Sequence, residues 1–181
     1  MSRLGFAGLA ALLLLGGCHH RPAPSLQSLA AVGQIQPNAP LQAQLQVTIH
    51  ASPARVWNIL TDVQSWPRWN PSVTQTAAEP SVQQGSLFSW TTQGMSIHCA
   101  IERFVPDQSL AWTGKVLNYH AIHVWTLDAL PNGDTEVTLR QSVSGFVIAW
   151  FYGAQALHRD DENWLQGLKR AAEAPEPQAQ R

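Results

Sequence analysis

The chain has 181 residues, room for one domain and its tails, and its formal net charge of −1 comes without any basic run. That balance excludes an electrostatic footprint for nucleic acid. Charged residues are 13% of the chain, against about 25% in ordinary globular domains, and tryptophan occurs eight times, so the apolar surface has to go into a large core or around a lined cavity.

Met1-Ser2-Arg3 is a short positive region, and Leu4 to Leu15 is an apolar stretch too short to span a bilayer comfortably. It ends in Leu15-Gly16-Gly17-Cys18, which resembles a bacterial lipobox, whose cysteine is acylated and becomes the new N-terminus. Residues 1–17 are thus expected to be a lipoprotein signal peptide and Cys18 the lipidated membrane anchor; several acyl chains, at about 0.8 kcal/mol per buried methylene, make such anchoring stable. His19, rather than aspartate, follows the cysteine, a pattern that resembles default outer-membrane sorting in diderm bacteria. The expected location is the cell envelope, on the outer membrane facing the periplasm. Residues 18–40 are rich in Pro, Gln, Ala and Ser and read as a flexible tether. His19 and His20 lie within it, poorly preorganised for a metal.

From Leu41 the pattern becomes regular. Leu41, Ala43, Leu45, Val47 and Ile49 alternate with polar residues, the period of a half-buried strand. Ser52 and Pro53 suit the cap and first position of a helix whose apolar face is Val56, Trp57, Ile59, Leu60 and Val63. A tryptophan-proline corner, Trp66-Pro67-Arg68-Trp69-Asn70-Pro71, comes next. Strands are expected over Ser72–Glu79, Gly85–Gln93, Met95–Val105, Ser109–Leu117, Tyr119–Leu130 and Thr135–Ser144, with Pro131-Asn132-Gly133-Asp134 as a hairpin turn. Phe146 to about Glu173 lacks proline and repeats apolar residues at helical spacing, predicting one long helix. The tail, 174–181, reads as disordered. The fold class is therefore α+β, a curved antiparallel sheet wrapped around a long C-terminal helix, with a short helical pair after the first strand.

The run Ile49-His50-Ala51-Ser52-Pro53-Ala54-Arg55-Val56-Trp57-Asn58-Ile59-Leu60-Thr61-Asp62-Val63-Gln64-Ser65-Trp66-Pro67-Arg68-Trp69-Asn70-Pro71 resembles the opening of the SRPBCC, or START-like (Bet v 1-like), superfamily, and most its polyketide cyclase/dehydrase branch. Leu110-Ala111-Trp112-Thr113-Gly114, His123-Val124-Trp125-Thr126-Leu127 and Leu168-Lys169-Arg170-Ala171-Ala172-Glu173 extend the likeness over residues 41–173. The resemblance implies a helix-grip domain with a cavity between helix and sheet.

On that expectation Trp90, Ile101, Trp112, Trp125, Leu127, Leu139, Trp150 and Leu157 line a pocket for an apolar ligand, with His123 as a polar group on the same face. His120 and His123 are three apart on a strand, so their rings face opposite ways and cannot share one ion. Asp161 continues the Trp150, Ala154, Leu157 stripe of the last helix, and burial there would raise its pKa and make it a candidate acid. The rest of His158-Arg159-Asp160-Asp161-Glu162 reads as an ion-paired surface. Arg103 shares the parity of Cys99 and Ile101 and is a candidate clamp for a ligand carboxylate or phosphate. With Cys18 acylated, Cys99 has no disulfide partner and reads as an inward, small apolar residue. No metal site and no cofactor are expected, and no glycine-rich phosphate loop or catalytic triad order is present. The expected activity is a membrane-anchored lipoprotein binding a hydrophobic small molecule, lipid or polyketide-like. The alternatives are a cyclase, dehydratase or hydrolase using His123, Asp161 or Arg103, and an envelope interaction protein with a collapsed cavity.

Overall fold

The structure, a computed structural model, describes residues 23–145 and 152–175. Strand β1 (Leu41–Ile49) leads into helix α2 (Pro53–Thr61), a 3-10 turn (Val63–Ser65) and helix α3 (Trp66–Trp69). Then come β2 (Gln75–Ala78), β3 (Leu87–Thr92), β4 (Met95–Val105), β5 (Ser109–Val116), β6 (Tyr119–Ala129), β7 (Thr135–Ser144) and helix α4 (Ala154–Glu173). A further helix, α1 (Leu26–Ala31), precedes them. Ser52 caps α2 by accepting from the Arg55 N–H at 3.4 Å, and Pro53 occupies the first turn.

The strands form one antiparallel sheet ordered β1-β7-β6-β5-β4-β3-β2, so the last strand closes against the first. Gln93 and Gly94, at φ 49° and 75°, make the two-residue hairpin between β3 and β4, a turn whose twist requires positive φ at both positions. Helix α4 lies across the inner face and buries Leu157, Asp161, Trp164, Leu165, Leu168 and Ala172 there. Arg55 Nε donates to Ala172 O at 2.5 Å and Lys169 Nζ to Thr48 O at 2.5 Å, tying α2 and β1 to the end of α4.

Two sequence expectations change. The predicted flexible tether is folded from residue 26 onward: Leu29 and Ala30 cover Ala111, Ile122 and Val124 on the outer face of β5 and β6. Ser25 caps this helix by accepting from the Ser28 N–H at 3.1 Å, Arg140 donates to Gly33 O at 2.9 Å, and the Gln36 N–H donates to Ser142 Oγ at 3.1 Å. The physical reason is that β5 and β6 carry apolar side chains on both faces, and α1 keeps the outer ones from water. The last helix, expected from Phe146, begins at Ala154 after Gly153, whose φ of 75° sits outside the helical region; residues 146–151 lie outside the described residues.

Gly167 of α4 sets how closely that helix approaches the tryptophan corner. A β-carbon there would stand 2.7 Å from the backbone oxygen of Trp69 and 3.1 Å from its ring. Gly167→Ala is therefore expected to lower stability by about 1–3 kcal/mol, read as a lower urea midpoint; an unchanged midpoint would contradict this close approach.

Candidate ligand cavity

Trp66 is fully buried, and its indole N–H donates to Leu60 O at 2.9 Å. Its ring meets Trp164 at 4.9 Å, Phe88 at 5.5 Å and Trp112 at 5.6 Å. Trp69 meets Trp164 at 5.5 Å, and Trp125 lies behind both Trp112 and Trp164. These rings form a wedge between α4 and the sheet, filling the half of the gap nearest α3. The edge-to-face pairs among them, Trp66 with Phe88 and Trp164, and Trp164 with Trp69 and Trp125, add about 0.5–1.5 kcal/mol each beyond their burial.

The other half stays open. A cavity of about 350 Å³ runs between the start of α4 and the inner faces of β3 to β7. Its apolar wall includes Trp90, Ile97, Val116, Val143 and Trp164. Trp90 and Trp164 meet at 5.4 Å with their planes 89° apart, giving two perpendicular aromatic walls. Its polar groups are Gln141, His123, Tyr119, Tyr152, Asp160 and Asp161, with Ser72, Thr92 and Gln93 beside them.

Two of those polar groups are buried without protein partners among the described residues. His123 is stacked on Trp112 at 4.9 Å, and its Nδ1 has no hydrogen bond. Burial holds its imidazole down at about 3, so the ring is neutral. Asp161 is fully buried, both carboxylate oxygens are unpartnered, and burial, aided by the charge of Asp160, raises its carboxyl from 3.8 to about 8. Tyr152 donates its hydroxyl to Asp160, and burial pushes the phenol up. A neutral acid and a neutral base thus share one apolar chamber, and each offers an unused hydrogen-bonding atom.

The candidate residues separate into three groups. Trp90, His123 and Asp161 line the cavity. Ile101, Trp112, Trp125, Leu127 and Leu139 lie on the same face of the sheet but pack into the core, and Leu157 packs with Leu41 and Val143. Trp150 and Cys18 lie outside the described residues. Arg103 is elsewhere: a bulge at Glu102 breaks the register between Ile101 and Arg103 and inverts the parity of the later residues of β4. The Arg103 side chain leaves by the outer face, where Nε donates to Ser109 Oγ at 3.0 Å and Nη1 to Ala31 O at 3.4 Å. It clamps α1 to the sheet instead of facing the cavity.

His120 and His123 do face opposite ways. His120 sits in register with Lys115, which pairs in turn with His98, beside a wide, open hollow of about 580 Å³ on the outer face. Cys99 is a buried free thiol, pushed up to about 12 by burial, and no group of three His, Cys, Asp or Glu side chains among the described residues is placed for a metal ion. Gln141 and Tyr152 carry no assignment from the sequence, and Asp160, expected on an ion-paired surface, instead accepts from the Tyr152 hydroxyl and lines the cavity. Gln141 carried a usable signal, since it shares the inward parity of Leu139 and Val143.

Residues 40–173 match the family model described as polyketide cyclase / dehydrase and lipid transport. The chain belongs to that family. Solved structures share the fold of this polyketide cyclase/dehydrase domain. A hypothetical protein from Helicobacter pylori is 20% identical with a TM-score of 0.64, covering 74% of this chain and 87% of its own. A protein from Chromobacterium violaceum is 16% identical at 0.62, covering 75% and 100%. An aromatase/cyclase from a Streptomyces species is 15% identical at 0.62, covering 73% and 93%. No curated protein matches the chain. Family membership supports binding, or cyclisation, of a hydrophobic small molecule.

The two buried groups give this polyketide cyclase/dehydrase domain a pH signature. Asp161 binds its proton more tightly folded than unfolded, so its contribution is full below about pH 4 and is lost as pH rises to about 8. His123 does the opposite, and stability falls as pH drops from about 6.5 to about 3. Asp161→Asn is accordingly expected to be more stable than the parent at pH 8, with the difference closing toward pH 4. Urea unfolding across that range checks it, and a difference that does not change with pH would contradict the burial of this carboxyl.

Proposed function

We propose that this protein is a membrane-anchored lipoprotein that holds a hydrophobic small molecule in the chamber between α4 and the sheet. The observation that carries the binding role is the 350 Å³ cavity, apolar in its walls and provided with two unpartnered polar groups, His123 and Asp161. A core built only for stability would not leave a void of that size beside a buried carboxyl with both oxygens unpartnered, since both are unfavourable. An apolar molecule with one polar end fills the space and supplies the missing partners. The anchoring role draws on the lipobox-like Leu15-Gly16-Gly17-Cys18 and the short apolar stretch before it.

A second reading, an enzyme of cyclase or dehydratase type, draws on the neutral carboxyl of Asp161 and the neutral imidazole of His123. The first is set to donate a proton to a bound carbonyl, and the second, held neutral, to orient the substrate through a hydrogen bond. Binding is common to both readings and is tested first.

Expressed in a diderm bacterium, the full chain is expected in the membrane fraction with an acylated Cys18, and Cys18→Ser in the soluble fraction. The soluble form is expected to bind the neutral fluorophore N-phenyl-1-naphthylamine at one site, with micromolar affinity or better. A mature chain whose Cys18 carries no acyl group by mass spectrometry would remove the lipoprotein assignment, and a chain that takes up no fluorophore would remove the binding assignment.

A further inference from the structure

The described lining of the cavity carries no cationic side chain. Among the described residues that line it, Asp160 and Asp161 are acidic and no lysine or arginine is present. Its one histidine is held neutral by burial, so it offers no positive charge to a ligand. Arg103, the cation that sequence parity had placed on this face, is turned outward by the bulge at Glu102. An anionic ligand, whether a fatty-acid carboxylate or a phosphate, would therefore meet two carboxyl groups and no counter-charge.

A positive group meets the reverse situation. Asp161 is fully buried with both oxygens unpartnered, and it shares the chamber with the perpendicular indoles of Trp90 and Trp164 and the phenols of Tyr119 and Tyr152. Aromatic faces attract ammonium groups, most strongly when water is excluded. Resting on the reading that the cavity binds an apolar small molecule, we propose that its ligand is an organic cation on an apolar stem, an ammonium-bearing amphiphile with Asp161 as counter-ion and Trp90 and Trp164 as walls. Tyr152 already donates to Asp160, which leaves Asp161 as the carboxylate available to the ligand.

The binding is coupled to a proton. In the empty cavity burial keeps Asp161 protonated up to about pH 8. An arriving cation favours the ionised form, and the proton leaves to solvent as the ion pair forms, so atoms and charge balance. The titratable groups facing Asp161 across the chamber are His123 and Tyr119 of β6, Tyr152 just before α4 and Asp160 in its first two turns; the charge of Arg159 reaches Tyr152, although Arg159 does not line the cavity.

The test uses the full chain carrying Cys18→Ser and four probes with one octyl stem: octyltrimethylammonium, octylphosphocholine, octyl sulfate and 1-octanol, each below its micellar concentration. Isothermal titration calorimetry is expected to show octyltrimethylammonium bound about tenfold or more tighter than octyl sulfate and 1-octanol. Its affinity should rise with pH up to about 8 and then level off. Asp161→Asn, which leaves the cavity's shape intact, should bring cation and alcohol within about threefold of each other and flatten the pH dependence. Octylphosphocholine binding as tightly as the cation would support the proposal with a phospholipid-type headgroup as its source, and weaker binding would support it with a free amine. Octyl sulfate or 1-octanol binding as tightly as the cation would overturn the proposal and leave the apolar-ligand reading intact. If no octyl probe binds, both fall.

Discussion

The wedge of tryptophans around Trp66 is the constraint on which the rest of the structure depends. Helix α4 has to cover the inner face of the sheet, yet indole rings are too thick to let it settle flat. Trp66 is locked by its hydrogen bond to Leu60 O and by ring contacts to Trp164, Phe88 and Trp112. It stands between helix and sheet as a spacer. Gly167 lets α4 close on Trp69 at the same end. The helix is thus pinned near α3 and held away from the strands beyond it, where the gap remains as a cavity. Trp164 belongs to both halves, packing on Trp66 and Trp69 and also walling the chamber with Trp90.

The chamber's chemistry is set by that separation. A carboxyl and an imidazole inside it are far from water, so each is driven to its neutral form, Asp161 by gaining a proton and His123 by refusing one. Folding alone gains nothing from this arrangement, since an unpartnered buried polar group costs about 1–3 kcal/mol. The two groups are understandable as one end of an interaction whose other end is the ligand.

Much of this was legible in the sequence. The bounds of β4 and β7 fall where alternation and turn residues place them, because short hairpins fix the register of strands that bury one face. Asp161 was legible because it lies one turn after Leu157 on the stripe counted from Trp150 and Ala154; Leu157 and Asp161 are buried, Ala154 is exposed, and Trp150 lies outside the described residues. Other expectations failed for physical reasons. Parity counting assigned Arg103 to the inner face, but one extra residue at Glu102 reverses every side chain after it, and nothing local announces the bulge. The short helix α1 was hidden in a proline-rich stretch, since its stability comes from the outer faces of Ala111, Ile122 and Val124, distant in sequence. Trp112, Trp125 and Leu139 were placed on the correct face, yet they are core and not lining. Alternation reports which way a side chain points, but not whether Trp66 has filled the space in front of it.

Two-dimensional NMR of the Cys18→Ser chain, titrated with N-phenyl-1-naphthylamine, decides whether the gap beyond the tryptophan wedge is the binding site. On that assignment, the largest shifts are expected on the indole N–H groups of Trp90 and Trp164 and on the amides of Ala121 and Gln141. Shifts confined to His98, Ala100 and His120, around the outer hollow, would contradict it.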